Sequence, residues 1–287
     1  MLRSAFSTVA CPEWTLERVV ESAARYGYAG VELRSFGAGG TQLACDPALT
    51  QNTKVRSLFS EAGVAIAGVA SGCRFDAPIF PPVIGHVLEQ SMASVHEGRH
   101  LVDVAMASGA EYLRVYAFGQ PERERRARTI RRISERLAQV VDHAHKRGVR
   151  LVLENGGAFS RAEDIADIIA RINSPLLGAC YDLSAAMAAG DDPVAGVRLL
   201  GRRLWAARIK DRDAGGTPCM LGEGELPCRD FVHALTTSLG SRDAWLVFSW
   251  DRMWRTEIAP ASEVLGEAVQ RMDDWIVAGR TGAVAAA

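Results

Sequence analysis

Short apolar runs alternate with amphipathic helical segments along the whole chain, and few architectures accept that rhythm. The runs lie near residues 3–8 (RSAFST), 29–34 (AGVELR), 64–71 (VAIAGVAS), 111–117 (EYLRVYA), 149–155 (VRLVLEN), 176–182 (LLGACYD), 204–210 (LWAARIK) and 244–250 (AWLVFSW). Between them, segments such as TLERVVESAARYGY and SERLAQVVDHAHKRG carry helical spacing. Several of these close on a glycine just before the next run, as in RYGYAGVEL and KRGVRLVLE, which is helix C-terminal punctuation. Eight strand–helix units in 287 residues, with no linker-like stretch, specify an α/β chain folded as a single (β/α)8 TIM barrel over residues 1–280. Residues 281–287 read as a flexible C-terminal tail. A doubly wound open sheet is the alternative. It is disfavoured because the first strand–helix turn, STVACPEW, has no GxGxxG for a dinucleotide.

Composition narrows the partners. The chain is 48% hydrophobic and 23% charged, enough for a sizeable core. Its net charge of −1 gives no basic excess for nucleic acid or an anionic membrane surface. The run PERERRARTIRRISERL (121–137) interleaves acids at helical spacing and reads as a solvated helix face. Six cysteines show no CxxC or zinc-finger spacing, which suits reduced thiols and a cytoplasmic location. No leader-like start and no apolar run long enough to span a bilayer are evident, so the expected partner is a small-molecule substrate.

Barrel logic then assigns directions, because catalytic groups of such barrels gather at the C-terminal strand ends. Alternation pairs Val152 with Glu154, Cys180 with Asp182, Arg208 with Lys210, and Val247 with Ser249. If those parities point inward, Glu154, Asp182, Arg208, Lys210 and Ser249 line one pocket. Glu32 and Arg34 on the second strand, Arg114 and Tyr116 on the fourth, and Trp250 or Trp254 after the eighth are candidate substrate contacts. Asp182 also suits the N-cap of the next helix, and Lys210 could simply pair with Asp211 or another acid. None of the histidines, at 86, 96, 100, 143, 145 and 233, ends a strand. Ser249 therefore has no imidazole to activate it and is cast as a hydrogen-bonding group. Cys180 is a pocket or a buried thiol.

The stretches LVLENGGAFSRAEDIADIIARINSPLLGACYDLSAAMAAGDDPV, RLWAARIKDRD, LGEGELPCRDFV and WLVFSWDRMW resemble the sugar phosphate isomerase/epimerase family of xylose-isomerase-like barrels. ESAARYGYAGVELRSFG and LVDVAMASGAEYLRVYAFG extend the resemblance over nearly the whole chain. It implies an isomerase or epimerase, often dimeric or tetrameric, with one divalent metal held by a glutamate, an aspartate, a histidine and a glutamate on successive strands. Glu154 and Asp182 match the first two positions. Arg208 stands at the histidine position, Ser249 at the second glutamate and Ala185 at a helper position.

Arginine has no lone pair to give a metal, and its charge repels a dication, whereas its planar fork suits carboxylates. The expectation is therefore a metal-independent enzyme with no cofactor, in which Arg208 pairs with Glu154, Asp182 or both. Glu154 is the better candidate base, with Arg208 and Lys210 stabilising the oxyanion. Elimination by a lyase or dehydratase shares that first step. The alternatives are a ligand-binding relative without turnover, and a metal enzyme with displaced ligands holding Mn or Mg weakly at Glu154 and Asp182.

Overall fold

The computed structural model describes residues 1–36, 42–46, 52–78 and 84–285, apart from the side chains at 52, 84–91 and 282–285. Eight strands form the barrel: β1 (Leu2–Ser7), β2 (Gly30–Phe36), β3 (Ala65–Arg74), β4 (Tyr112–Tyr116), β5 (Arg150–Glu154), β6 (Leu177–Asp182), β7 (Leu204–Ile209) and β8 (Ala244–Phe248). Neighbours pair in parallel in sequence order, and β1 pairs with both β2 and β8, so the sheet closes on itself. The eight-unit expectation holds.

Helices fill the return connections: α1 (Leu16–Tyr26), α2 (Asn52–Glu61), α3 (Ile84–Ser108), α4 (Arg126–His145), α5 (Ala162–Ile172), α6 (Leu183–Ala188), α7 (Pro193–Leu200), α8 (Cys228–Leu239) and α9 (Ala261–Ala285). Local chemistry sets their ends. The Thr15 hydroxyl caps α1, and Gly27 ends it in the left-handed region at φ 89°. α9 runs through Ala285, into the segment expected as a tail, and residues 286–287 lie outside the described residues. None of the described helices is long and apolar enough to cross a membrane.

The basic run at 121–137 is only partly the solvated face expected. Arg128 and Arg131 are solvated, but Arg132 and Arg136 are buried. Arg136 donates to the carbonyls of Phe75 and Ala77, and Arg132 to that of Asp76 and to Glu124. These guanidiniums tie α4 to the chain leaving β3.

The barrel has two apolar regions. One lies between strands and helices, where Leu33, Leu113, Leu151, Leu153 and Ile209 are fully buried. The other fills the interior and is built of small residues around two aromatics: Ala5, Ala67, Tyr112, Val152, Cys180, Ala206, Trp245 and Val247. Alternation along a strand produces both, since successive side chains point to opposite faces. At the N-terminal end, Glu111 accepts from Arg3 at 2.7 Å and from the Trp245 indole at 3.1 Å, and Arg3 lies 3.8 Å from the Trp245 ring centre. That ion-and-indole cluster floors the interior.

Gly68 shows how tightly the interior is filled. A Cβ there would stand 2.2 Å from the Tyr112 ring. Tyr112 is fixed from its far end by a 2.9 Å hydrogen bond to Glu32, so the ring has nowhere to retreat. Gly68→Ala is expected to destabilise the protein by about 1–3 kcal/mol through overpacking. An unchanged denaturant midpoint would show that the ring can move aside.

Candidate active site

The C-terminal mouth of the barrel carries a cavity of about 440 Å³, lined by strand-end residues that include Arg34, Tyr116, Glu154, Asp182, Arg208 and Lys210. Its floor is a largely buried ionic layer. Inward parity carries Glu32 up from β2, Arg114 from β4, Glu154 from β5, Asp182 from β6, Arg208 from β7 and Ser249 from the end of β8, one step above the apolar interior. The expected convergence of Glu154, Asp182, Arg208 and Ser249 is therefore observed.

The pairing differs from expectation in one respect. The close partner of Arg208 is Glu32, reached through Nη1, while Nη2 donates to Ser249 Oγ at 2.8 Å. Glu154 and Asp182 each stand 3.7 Å from Arg208 Nε, at ion-pair distance only. Glu32 is not a wall of the cavity. It is fully buried, and Arg208, Arg114 and Tyr112 occupy its two oxygens. A carboxylate placed between Val31 and Leu33 in a buried strand needed counter-ions, and the barrel supplies two.

Burial alone would raise the Glu32 carboxyl, but the charges of Arg208 and Arg114, with the Tyr112 hydroxyl, hold it below its ordinary value. Burial would likewise loosen the Arg208 proton, and Glu32 holds it more firmly than in water. Arg114 also donates to Glu154 and to the Tyr116 hydroxyl, and Tyr116 donates to the other Glu154 oxygen at 2.9 Å. Glu154 is thus fixed from two sides. Cys180 is a buried thiol 3.7 Å from Glu154; burial, then the Glu154 charge, pushes its pKa up, so it is not a nucleophile here.

Asp182 is the N-cap that its sequence position suits, and it also faces the cavity. Oδ1 caps α6 by accepting from the Ala185 amide at 2.8 Å, while Oδ2 faces Arg208. Asn155 clamps the backbone of Asp182 from both sides, a positioning group that its place after a strand-end glutamate could have signalled. Lys210 pairs with Asp251 at 2.8 Å. Asp211 instead accepts from the amides of Arg212, Gly222, Gly224 and Leu226, so it pins the GEGELP loop beside the mouth.

Trp250 is corrected: it is buried, stacks near Phe248 and donates to the Ala259 carbonyl, away from the cavity. Trp254 lines the cavity instead, together with Phe118, Arg74 and Gly72, which the sequence reading did not select. The histidines with described side chains stay on the helices, and the His86 side chain lies outside the described residues. Among the described residues no group of three or more His, Cys, Asp or Glu side chains is arranged to hold a metal ion. With a guanidinium nitrogen 3.7 Å from both Glu154 and Asp182, the residues present do not fit a divalent ion.

The ionic layer carries a pH signature. The folded Glu32 carboxyl titrates below its ordinary 4.5, so its stabilisation is complete above that pH and is lost as pH falls through the depressed value. Glu32→Gln is expected to cost about 3–5 kcal/mol at neutral pH, because it strands buried guanidiniums. It should also flatten the acid limb of stability against pH. An acid limb of equal steepness in both proteins would show that Glu32 is not the group responsible.

Solved structures of this shape include an L-ribulose 3-epimerase, 16% identical with a TM-score of 0.78, covering 100% of this chain and 98% of that one. The IolI protein with a bound zinc atom is 14% identical at a TM-score of 0.77, covering 96% and 98%. A probable 3-DHS dehydratase from Bacillus anthracis is 13% identical at 0.72, covering 93% and 97%. At such identities the likeness is one of fold. No curated protein matches the sequence. The sequence profile of the xylose isomerase-like TIM barrel family matches residues 20–275, and the chain belongs to that family.

Proposed function

We propose that the protein is a metal-independent isomerase or epimerase that moves a proton on a small sugar-like or keto substrate. One observation carries this reading: two carboxylates, Glu154 and Asp182, flank a single guanidinium nitrogen of Arg208 at the open mouth of the barrel. That sets a fixed cation beside a candidate base, Glu154, and a second carboxylate. Structural neighbours named as an L-ribulose 3-epimerase and a D-psicose 3-epimerase support the reaction class by fold. In the proposed step, Glu154 takes the proton from the carbon beside a carbonyl. The electron pair moves onto the carbonyl oxygen, and Arg208 and Lys210 hold the oxyanion. Glu154, protonated by that step, gives a proton back to the neighbouring carbon or to a departing hydroxyl, while the Asp182 carboxylate helps hold Arg208 in place. The second outcome is elimination, for which the neighbouring probable dehydratase is a fold-level precedent.

The cation also stands in for an ion. Arg208 is held on Glu32 and Ser249, so its charge stays in place without coordination chemistry. A second reading, a ligand-binding relative without turnover, rests on the double engagement of Glu154 by Arg114 and Tyr116.

Incubation with ketoses and keto acids in D2O, followed by proton NMR, separates the readings. Exchange of a carbon-bound proton is expected, undiminished after chelation, and Glu154→Gln should slow it by about 10²–10⁴-fold. Exchange abolished by chelation and restored by Mn or Co would sink metal independence. Binding without exchange would favour the second reading.

A further inference from the structure

Four cations border the cavity or its floor apart from Arg34, and each has an acidic partner. Arg208 and Arg114 are held by Glu32 and Glu154, Lys210 by Asp251, and Arg74 more loosely by Asp76 at 3.9 Å. Arg34 differs. Its guanidinium lines the cavity, yet no carboxylate among the described residues lies within ion-pair distance of it. Its one side-chain hydrogen bond among them is from Nη1 to the Ala70 carbonyl at 3.2 Å, and its Nε is buried without a partner.

The position is nonetheless built. The Arg34 amide donates to Thr8 Oγ1 at 2.9 Å and its carbonyl accepts from the Ala44 amide at 2.7 Å, which anchors the residue to the turn after β1 and to the chain after β2. Burial, then the like charge of Arg114, makes its proton easier to lose than usual, a cost that an added anion would offset. Space for that anion is present. A Cβ built on Gly72 would meet only Arg34 Nη2, at 3.5 Å, and otherwise project into open space.

We propose that Arg34 anchors a carboxylate of the substrate, so that the ligand of this cavity is a hydroxylated acid of sugar size. This deepens the proton-transfer reading and rests on that cavity being where substrate binds. Charge and shape select a carboxylate over a phosphate. Arg208 and Arg114 are offset by Glu32 and Glu154, Lys210 by Asp251 and Arg74 by Asp76, so Arg34 is the lining cation left for a ligand's single charge among the described residues. A phosphate dianion would need a second guanidinium, and the others lining the cavity among the described residues are engaged by Glu32, Glu154 and Asp76. One guanidinium offers a fork that matches a carboxylate in two parallel hydrogen bonds. Held there, on the β2–β3 side, the acid would direct its carbon chain across the cavity toward Glu154 and Asp182, with Phe118 and Trp254 as apolar walls.

Titration calorimetry with D-gluconate, 2-keto-D-gluconate, D-fructose and D-fructose 6-phosphate tests the assignment. The intact protein is expected to bind at least one of the two acids more tightly than the ketose or the phosphate ester. Arg34→Gln should weaken that binding by about tenfold or more. Gly72→Ala, at a position without a left-handed backbone, fills the space beside the guanidinium and should weaken it too, with the fold checked by circular dichroism. Failure of both acids to bind, equal or tighter binding of the ketose or phosphate ester, or unchanged acid binding in both variants would each overturn the anchor. Deuterium exchange keeps the two proposals apart. Exchange into D-fructose by both wild type and Arg34→Gln overturns the anchor and leaves proton transfer standing. Arg34-dependent acid binding with no exchange does the reverse.

Discussion

Everything at the barrel mouth depends on one buried ion network, Glu32 with Arg208 and Arg114. Removing three charges from water costs several kcal/mol each, and only close mutual pairing offsets it. The barrel achieves this because β2, β4 and β7 deliver their inward side chains to the same height, and Tyr112 satisfies what remains of Glu32 from below. The apolar interior beneath excludes water from that face. The pairing is therefore strong, and it fixes the two guanidiniums in place before any ligand arrives. Glu154 and Asp182 inherit their positions from those guanidiniums and from Asn155.

This arrangement separates the groups that hold the layer together from those that face the cavity. Glu32 is consumed in holding, as are Ser249 and Tyr112. Glu154 and Asp182 stand at the boundary with the cavity, where a substrate atom could replace solvent beside them. Such pre-set dipoles and charges need no reorganisation when charge develops on a ligand, which is what makes them effective in catalysis.

Much of this was legible in the sequence. Period-two alternation alone placed Val152 below Glu154, Cys180 below Asp182 and Val247 below Ser249, and the interior confirms each pair. Family resemblance pointed to the same strand ends that line the cavity. What alternation cannot give is the partner across the barrel, and so Arg208 was matched to Glu154 and Asp182 when its near neighbour is Glu32. A register shift between Val31 and Glu32, where β2 meets β3, adds to that difficulty. Trp250 and Trp254 could not be told apart either. The short helical turn over Asp251–Met253 directs one inward to pack and the other to the mouth, and turn geometry is not written in residue spacing. Arg132 and Arg136 likewise needed the carbonyls of Phe75, Asp76 and Ala77 to be seen beside them before burial made sense.

The double engagement of Glu32 also bears on how such a barrel could change by descent. A histidine in place of Arg208 would supply an imidazole but leave a wholly enclosed carboxylate facing one guanidinium instead of two. Removing Glu32 first would leave Arg208 and Arg114 repelling each other in the dark. Each single step costs stability by leaving buried charge unpaired, so the two changes are not additive. The two residues are thus coupled through burial, independently of what the cavity above them binds.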